Sequence, residues 1–93
     1  MNLDIIWTSQ FKKEYKLSIK RGLKIELLDN IIEQLAKGYP LPQKNRDHAL
    51  AGNFSAFREC HIQPNWLLIY RIENHALALV LVRTGTHSDL LEK

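Results

Sequence analysis

The sequence predicts an α+β domain: an N-terminal strand, a two-helix hairpin, then a three-stranded antiparallel meander. Three observations carry this expectation. Residues 9–38 repeat apolar side chains at spacings of three and four with charged residues between them, the pattern of amphipathic helices. Residues 54–84 hold three apolar runs separated by the short turn sequences "QPN" and "ENH", which suit hairpins between consecutive strands. A short β-branched run, "LDIIWT" at 3–8, precedes both halves and reads as a first strand. Helices followed by a meander pack on one face of its sheet.

The elements follow in order. Thr8 or Ser9 can cap the first helix, "SQFKKEYKLSIKRG", in which Phe11, Tyr15 and Ile19 recur every four residues and Lys12, Lys13, Lys16 and Lys20 fall mostly elsewhere on the wheel. Gly22 stops it. In the second helix, "LKIELLDNIIEQLAKG", Leu28, Ile31, Ile32 and Leu35 form one stripe, and Gly38 and Pro40 end it. Residues 39–53 read as a loop. Strands are expected at 54–62, 66–72 and 76–84. The last two are apolar at nearly every position and should lie centrally, covered on both faces. The tail "GTHSDLLEK" is read as too short to form a unit of its own. No repeat or linker divides the chain, so residues 1–93 form one domain.

Composition narrows the class. The chain is 45% hydrophobic and 25% charged, with net charge +3, an ordinary globular balance. A single cysteine, Cys60, permits no internal disulfide and fits a reducing cytoplasm. No stretch approaches a membrane span and the N-terminus lacks a signal-peptide pattern, so a cytoplasmic protein with no membrane partner is expected. Basic residues concentrate in residues 1–46, densest from Lys12 to Lys24, whereas His48, His61, His75 and His87 all fall in the back half. A basic face can attract nucleic acid or simply be solvated, and composition leaves both readings open.

Topology suggests where polar chemistry gathers. The first and third strands of a meander run in the same direction, so their ends share one edge of the sheet. His61 and Arg83 should therefore lie at the same edge, with Asn65 in the turn, Trp66 at the start of the middle strand, His87 folding back, and His48 within reach. Histidine titrates near neutral pH, at about 6.5. Two histidines and an arginine suit RNA cleavage by the RNA's own 2′-hydroxyl: one group takes its proton, another protonates the leaving 5′-oxygen, and the arginine stabilises charge on the phosphate. No metal or other cofactor is expected, since no HxxH, HxH or cysteine pair is present. Cys60 reads as a small core residue, His75 as a surface turn residue and Tyr70 as core. Trp66 can stack on a base or pack.

These residues also resemble a family. "DHALAG", "RECHIQPNW" and "RTGTH" are similar to the D-H-x-L-x-G, R-D/E-x-H-I/V-x-P-D-W and R-x-G-S/T-H segments of the YafQ branch of the RelE/ParE toxins of bacterial toxin–antitoxin pairs. The "FKKEYK" opening of the helical half fits as well, so the resemblance spans nearly the whole chain. It implies a RelE-like fold and a metal-independent endoribonuclease, an mRNA interferase that cuts mRNA in the ribosomal A site. It also implies a DinJ/RelB-like ribbon-helix-helix antitoxin as partner, through which alone operator DNA is bound. The family's functional histidines fall on His48, His61 and His87, its arginine on Arg83 and its tryptophan on Trp66. Two positions depart from the pattern. Asn65 stands where the family commonly has an aspartate, a proposed acid/base, and an amide accepts no proton at useful pH. Leu91 stands where the family has an aromatic that can stack on a base.

On this reading His87 is the general acid, Arg83 the phosphate stabiliser and His48 or His61 the base, with Asn65 orienting a histidine or the 2′-hydroxyl. Lys12, Lys13 and Lys16 would hold ribosomal RNA. The alternative is a catalytically attenuated homologue that acts as an antitoxin-binding co-repressor. A ParE-like gyrase inhibitor is disfavoured, because that role has no evident need for three histidines.

Overall fold

Local sequence decides most of the elements seen in the computed structural model, which describes residues 2–54 and 56–91. They are β1 (Asp4–Trp7), α1 (Ser9–Lys20), α2 (Ile25–Ala36), β2 (His48–Ala49), β3 (Arg58–Gln63), β4 (Trp66–Glu73), β5 (Ala78–Gly85) and α3 (His87–Leu91). The expected strand, helical hairpin and meander are all present. The short β2 and two 3₁₀ turns, Gln43–Asn45 and Gly52–Phe54, in and beside the segment read as a loop, were not expected, nor was α3 inside the tail.

The five strands form one sheet in the order β1-β5-β4-β3-β2. β3, β4 and β5 are the antiparallel meander, and β2 joins β3 antiparallel. β1 pairs with β5 in parallel, from Asp4 opposite Ala78 to Trp7 opposite Leu81. β4 and β5 are thus interior strands; β5 is buried along most of its length, whereas β4 is buried mainly in its first half and Ile72 is exposed, so the expected cover on both faces is incomplete.

α2 buries the stripe its spacing marks: Leu28, Ile31, Ile32 and Leu35, with Ala36. They meet Phe11 of α1 and Cys60, Ile62, Leu68, Tyr70, Leu79 and Leu81 of the sheet in one core. α1 corrects its expectation. Its buried residues are Phe11, Glu14 and Ser18, and Ile19 is 51% exposed. On a helix wheel Ile19 lies about 80° from Phe11, whereas Ser18 lies close beside it. The core tolerates the two polar side chains because they are satisfied: Ser18 Oγ donates to the Glu14 carbonyl at 2.9 Å, and the Glu14 carboxylate is bonded to β5 as described below. Trp7 packs edge-on against Phe11 and Tyr15. Burial and a 2.7 Å bond to Asp29 of α2 push the Tyr15 phenol up to about 12. Thr8 caps α1 by accepting from the Phe11 N–H, while its hydroxyl donates to Leu81 of β5 at 2.8 Å.

Candidate active site

Two registers set the site. His61 pairs with Leu67 and Leu67 with Gly85, so these three residues form one row across β3, β4 and β5 at the end of the sheet that carries the Pro64–Asn65 turn. A register shift between His61 and Gln63 marks the bulge that bends β3 into this turn.

The chain reverses directly after the row. A Cβ on Gly85 would lie 2.9 Å from the Asp89 Cβ and 3.0 Å from its Oδ2, so only glycine lets α3 fold back this closely. Thr86 and Asp89 then cap each other. The Asp89 N–H donates to Thr86 Oγ1 at 3.1 Å and the Thr86 N–H donates to Asp89 Oδ2 at 3.0 Å, the reciprocal capping box of a T-x-x-D sequence. Arg21 Nη1 adds a 2.7 Å ion pair to Asp89. Chiefly through Arg21, and also through Thr86, the Asp89 carboxyl is lowered from 3.8 to about 2. A lowered value means that its contribution to stability is present above the ordinary carboxylate range and is lost only as pH falls through about 2. The anchor of α3 therefore stays intact at any pH where histidines titrate.

His87 is the first residue of α3, and its backbone N–H donates to Asn65 Oδ1 at 3.1 Å. An N–H can only meet the oxygen of an amide, so this bond fixes which way the Asn65 side chain points. The same Oδ1 lies 2.7 Å from His87 Nδ1, so Nδ1 carries a proton and donates. His87 Nε2 is the other ring nitrogen, an acceptor in the neutral ring and a donor in the charged one. The His61 ring stands edge-on to it, with centroids 5.6 Å apart. The structure thus brings His61, Asn65 and His87 together.

The other expected residues lie elsewhere. His48 sits on β2 opposite Glu59. Its Nδ1 donates to the Arg46 carbonyl at 2.7 Å and its Nε2 lies 3.5 Å from Glu59 Oε1. Arg83 faces α1. Its Nε lies 2.8 and 3.0 Å from the two Glu14 oxygens and its Nη2 2.6 Å from Oε2, and Glu14 also accepts the Thr84 N–H at 3.0 Å. Trp66 is 2% exposed, and its Nε1 donates to Thr84 Oγ1 at 3.0 Å. It packs in the core and presents no ring face to a base. Lys12, Lys13 and Lys16 are exposed on α1. The Leu91 side chain lies outside the described residues. Cys60 is fully buried, and burial pushes its thiol up to about 12, which suits a core residue rather than a nucleophile.

The histidine pair opens onto a hollow of about 580 Å³, which Lys44, Asn45, Arg46 and Gln63 also line. Sequence reasoning passed over these four as loop and turn residues. Asn45 is buried, and its Nδ2 donates to the His61 carbonyl at 2.7 Å, clamping the loop to β3. The neighbouring Asp47 accepts from Tyr70 Oη at 2.5 Å and from Arg58 Nε at 3.3 Å.

With this geometry in view, residues 3–92 match the family described as the bacterial toxin of type II toxin–antitoxin systems, YafQ. The chain belongs to the YafQ toxin family. It is 35% identical over 88 residues to the mRNA interferase toxin YafQ of Escherichia coli K12, covering 94% of each chain. Its fold matches YafQ in the Escherichia coli DinJ–YafQ toxin–antitoxin complex with TM-score 0.88 and 34% identity, over 97% of this chain and 98% of the other. A metal-bound toxin from Helicobacter pylori matches with TM-score 0.89 and 41% identity, over 95% and 98%.

The three YafQ segments now have places. "DHALAG" carries β2, "RECHIQPNW" is β3 with its turn, and "RTGTH" ends β5 and starts α3. As for a metal, the His61–His87 pair offers two ring nitrogens, and one of these is already bonded to Asn65. Among the described residues no three His, Cys, Asp or Glu side chains converge. This set does not make a closed metal site.

Proposed function

We propose that this YafQ-family toxin is an mRNA interferase, a ribosome-dependent endoribonuclease that cleaves by acid–base chemistry without a metal. The observation that carries the reading is the His61–Asn65–His87 cluster. His61 takes the proton from the 2′-hydroxyl, and the 2′-oxygen bonds to phosphorus. The bond from phosphorus to the 5′-oxygen breaks, and His87 Nε2 delivers its proton to that oxygen. The product upstream of the cut is a 2′,3′-cyclic phosphate. Asn65 need not exchange a proton in this scheme. Its oxygen holds the His87 ring and sets its tautomer, while the exposed lysines of α1 offer a salt-sensitive contact to ribosomal RNA. The name of the Escherichia coli relative, an mRNA interferase toxin, supports the reading. The DinJ–YafQ match supports a DinJ-like antitoxin as partner, with operator DNA reached through that antitoxin. We place the toxin in the cytoplasm, where both partners are.

Primer extension on translating ribosomes tests this. Toxin stripped of transition metals and assayed in magnesium buffer should give new mRNA ends at the rate of untreated toxin. If the stripped toxin is inactive and added metal restores it, the metal-free mechanism is wrong. If neither form cuts, the nuclease reading is wrong.

Asn65 is also the observation behind the second reading, an attenuated toxin that works as an antitoxin-binding co-repressor. An uncharged amide stabilises a protonated His87 less than a carboxylate would. In Asn65→Asp the new charge beside Nδ1 favours the imidazolium, so the alkaline limb of the cleavage profile should move up by roughly one pH unit. Measured rates from pH 5 to 9 check this. An unmoved limb would mean that Asn65 does not act through His87.

A further inference from the structure

We propose that Lys44 and Arg46, rather than Arg83, hold the RNA phosphate at the His61–His87 pair. The assignment rests on the nuclease reading above and adds to it the cation that the reaction needs. Two hollows flank α3, and their charges differ. The hollow containing Arg83, about 290 Å³, is also lined by Lys13, Arg21, Glu14 and Asp89. Its acids are already spent on its cations, since Glu14 is bonded to Arg83 and Asp89 to Arg21. A phosphate reaching Arg83 would have to displace the Glu14 carboxylate from a bidentate ion pair. The other hollow, about 580 Å³, is lined by both histidines with Lys44 and Arg46, and none of its lining residues is acidic. Both cations are exposed.

The backbone adds to the case. Arg46 has φ 49° and ψ 46°, a left-handed conformation that glycine adopts at no steric cost and that strains a residue with a side chain. Strain of this kind persists where surrounding structure holds it. Here Asn45 bonds to the His61 carbonyl and the Arg46 carbonyl accepts from His48. The first bond ties the Lys44–Arg46 segment to β3 and the second ties it to β2, so both cations are held on the hollow that His61 lines. In the transition state a guanidinium and an ammonium at this position would meet the charge growing on the non-bridging oxygens.

The probe is a nucleoside 3′-monophosphate, which carries a phosphate at the position where the upstream fragment ends. It is titrated into the isolated toxin while the His61 and His87 ring signals are followed by NMR. Wild type should show saturable shifts of both rings. Lys44→Gln/Arg46→Gln should weaken binding at least fivefold, and Lys44→Arg/Arg46→Lys should retain it, with both variants melting near wild type because the two side chains are exposed. Arg83→Gln should leave the affinity within twofold. The assignment is overturned if wild type shows no saturable shift, if the double glutamine variant binds as wild type does, or if Arg83→Gln alone removes binding. Failure of the nuclease reading looks different: phosphate binding would depend on Lys44 and Arg46 as stated, while ribosomes yield no cleaved mRNA.

Discussion

His87→Ala should lower the rate of mRNA cleavage on ribosomes by roughly 10²–10⁴-fold, the range a positioned proton-transfer group supplies. The fold should survive. His87 is exposed, and the backbone N–H that bonds Asn65 remains in the variant. The thermal midpoint should therefore stay within a few degrees of wild type while new mRNA ends disappear in primer extension. Growth arrest on expression without antitoxin should disappear with them. A variant that folds and still cuts at the wild-type rate would remove His87 from the chemistry and leave the histidine pair without a purpose.

Trp66→Ala should destabilise the domain by about 3–5 kcal/mol, a large share of the roughly 5–15 kcal/mol that holds a small domain together. The indole fills the core between α2 and the sheet, and its N–H donates to Thr84, whose hydroxyl in turn donates to the Leu67 carbonyl at 2.7 Å. Trp66→Phe keeps most of the packing but leaves the Thr84 oxygen without its donor, a cost of about 1–3 kcal/mol. Urea melts should rank wild type, Trp66→Phe and Trp66→Ala in that order, and any loss of cleavage should track the unfolded fraction. If Trp66→Ala keeps wild-type stability and loses only activity, Trp66 stacks on a base after all.

These two residues also show what the sequence discloses and what it does not. Strand topology places the end of β3 beside the end of β5, which brings His61 to the right edge, but it also put Arg83 there, and His87 reaches His61 only because α3 folds back. α2 is legible because all its core positions are apolar. α1 is legible as a helix but not in its rotation, because Glu14 and Ser18 occupy core-facing positions and only their distant or backbone partners make that tolerable. Glu14 lies 69 residues from Arg83, and nothing local announces the pair. That ion pair, invisible to spacing, is what draws Arg83 away from the histidines. The parallel partner of β1 is equally silent in sequence. α3 is a different case. Its capping box, "THSD", is a readable start signal, and length alone led the tail to be discounted. Asn65 reads in the sequence as the loss of an acid, whereas the structure shows its oxygen bonded to His87 Nδ1.

The parallel ladder between β1 and β5 has a consequence in time. It joins residues 4–7 to residues 78–81, so the first strand to be synthesised has no partner until the last one appears. Domains emerge from the ribosome N-terminus first. The growing chain can form both helices early, but the sheet on which they rest stays open at β1 until β5 arrives, and His87 follows two residues later. His61 therefore meets His87 only after every strand of the sheet has been made.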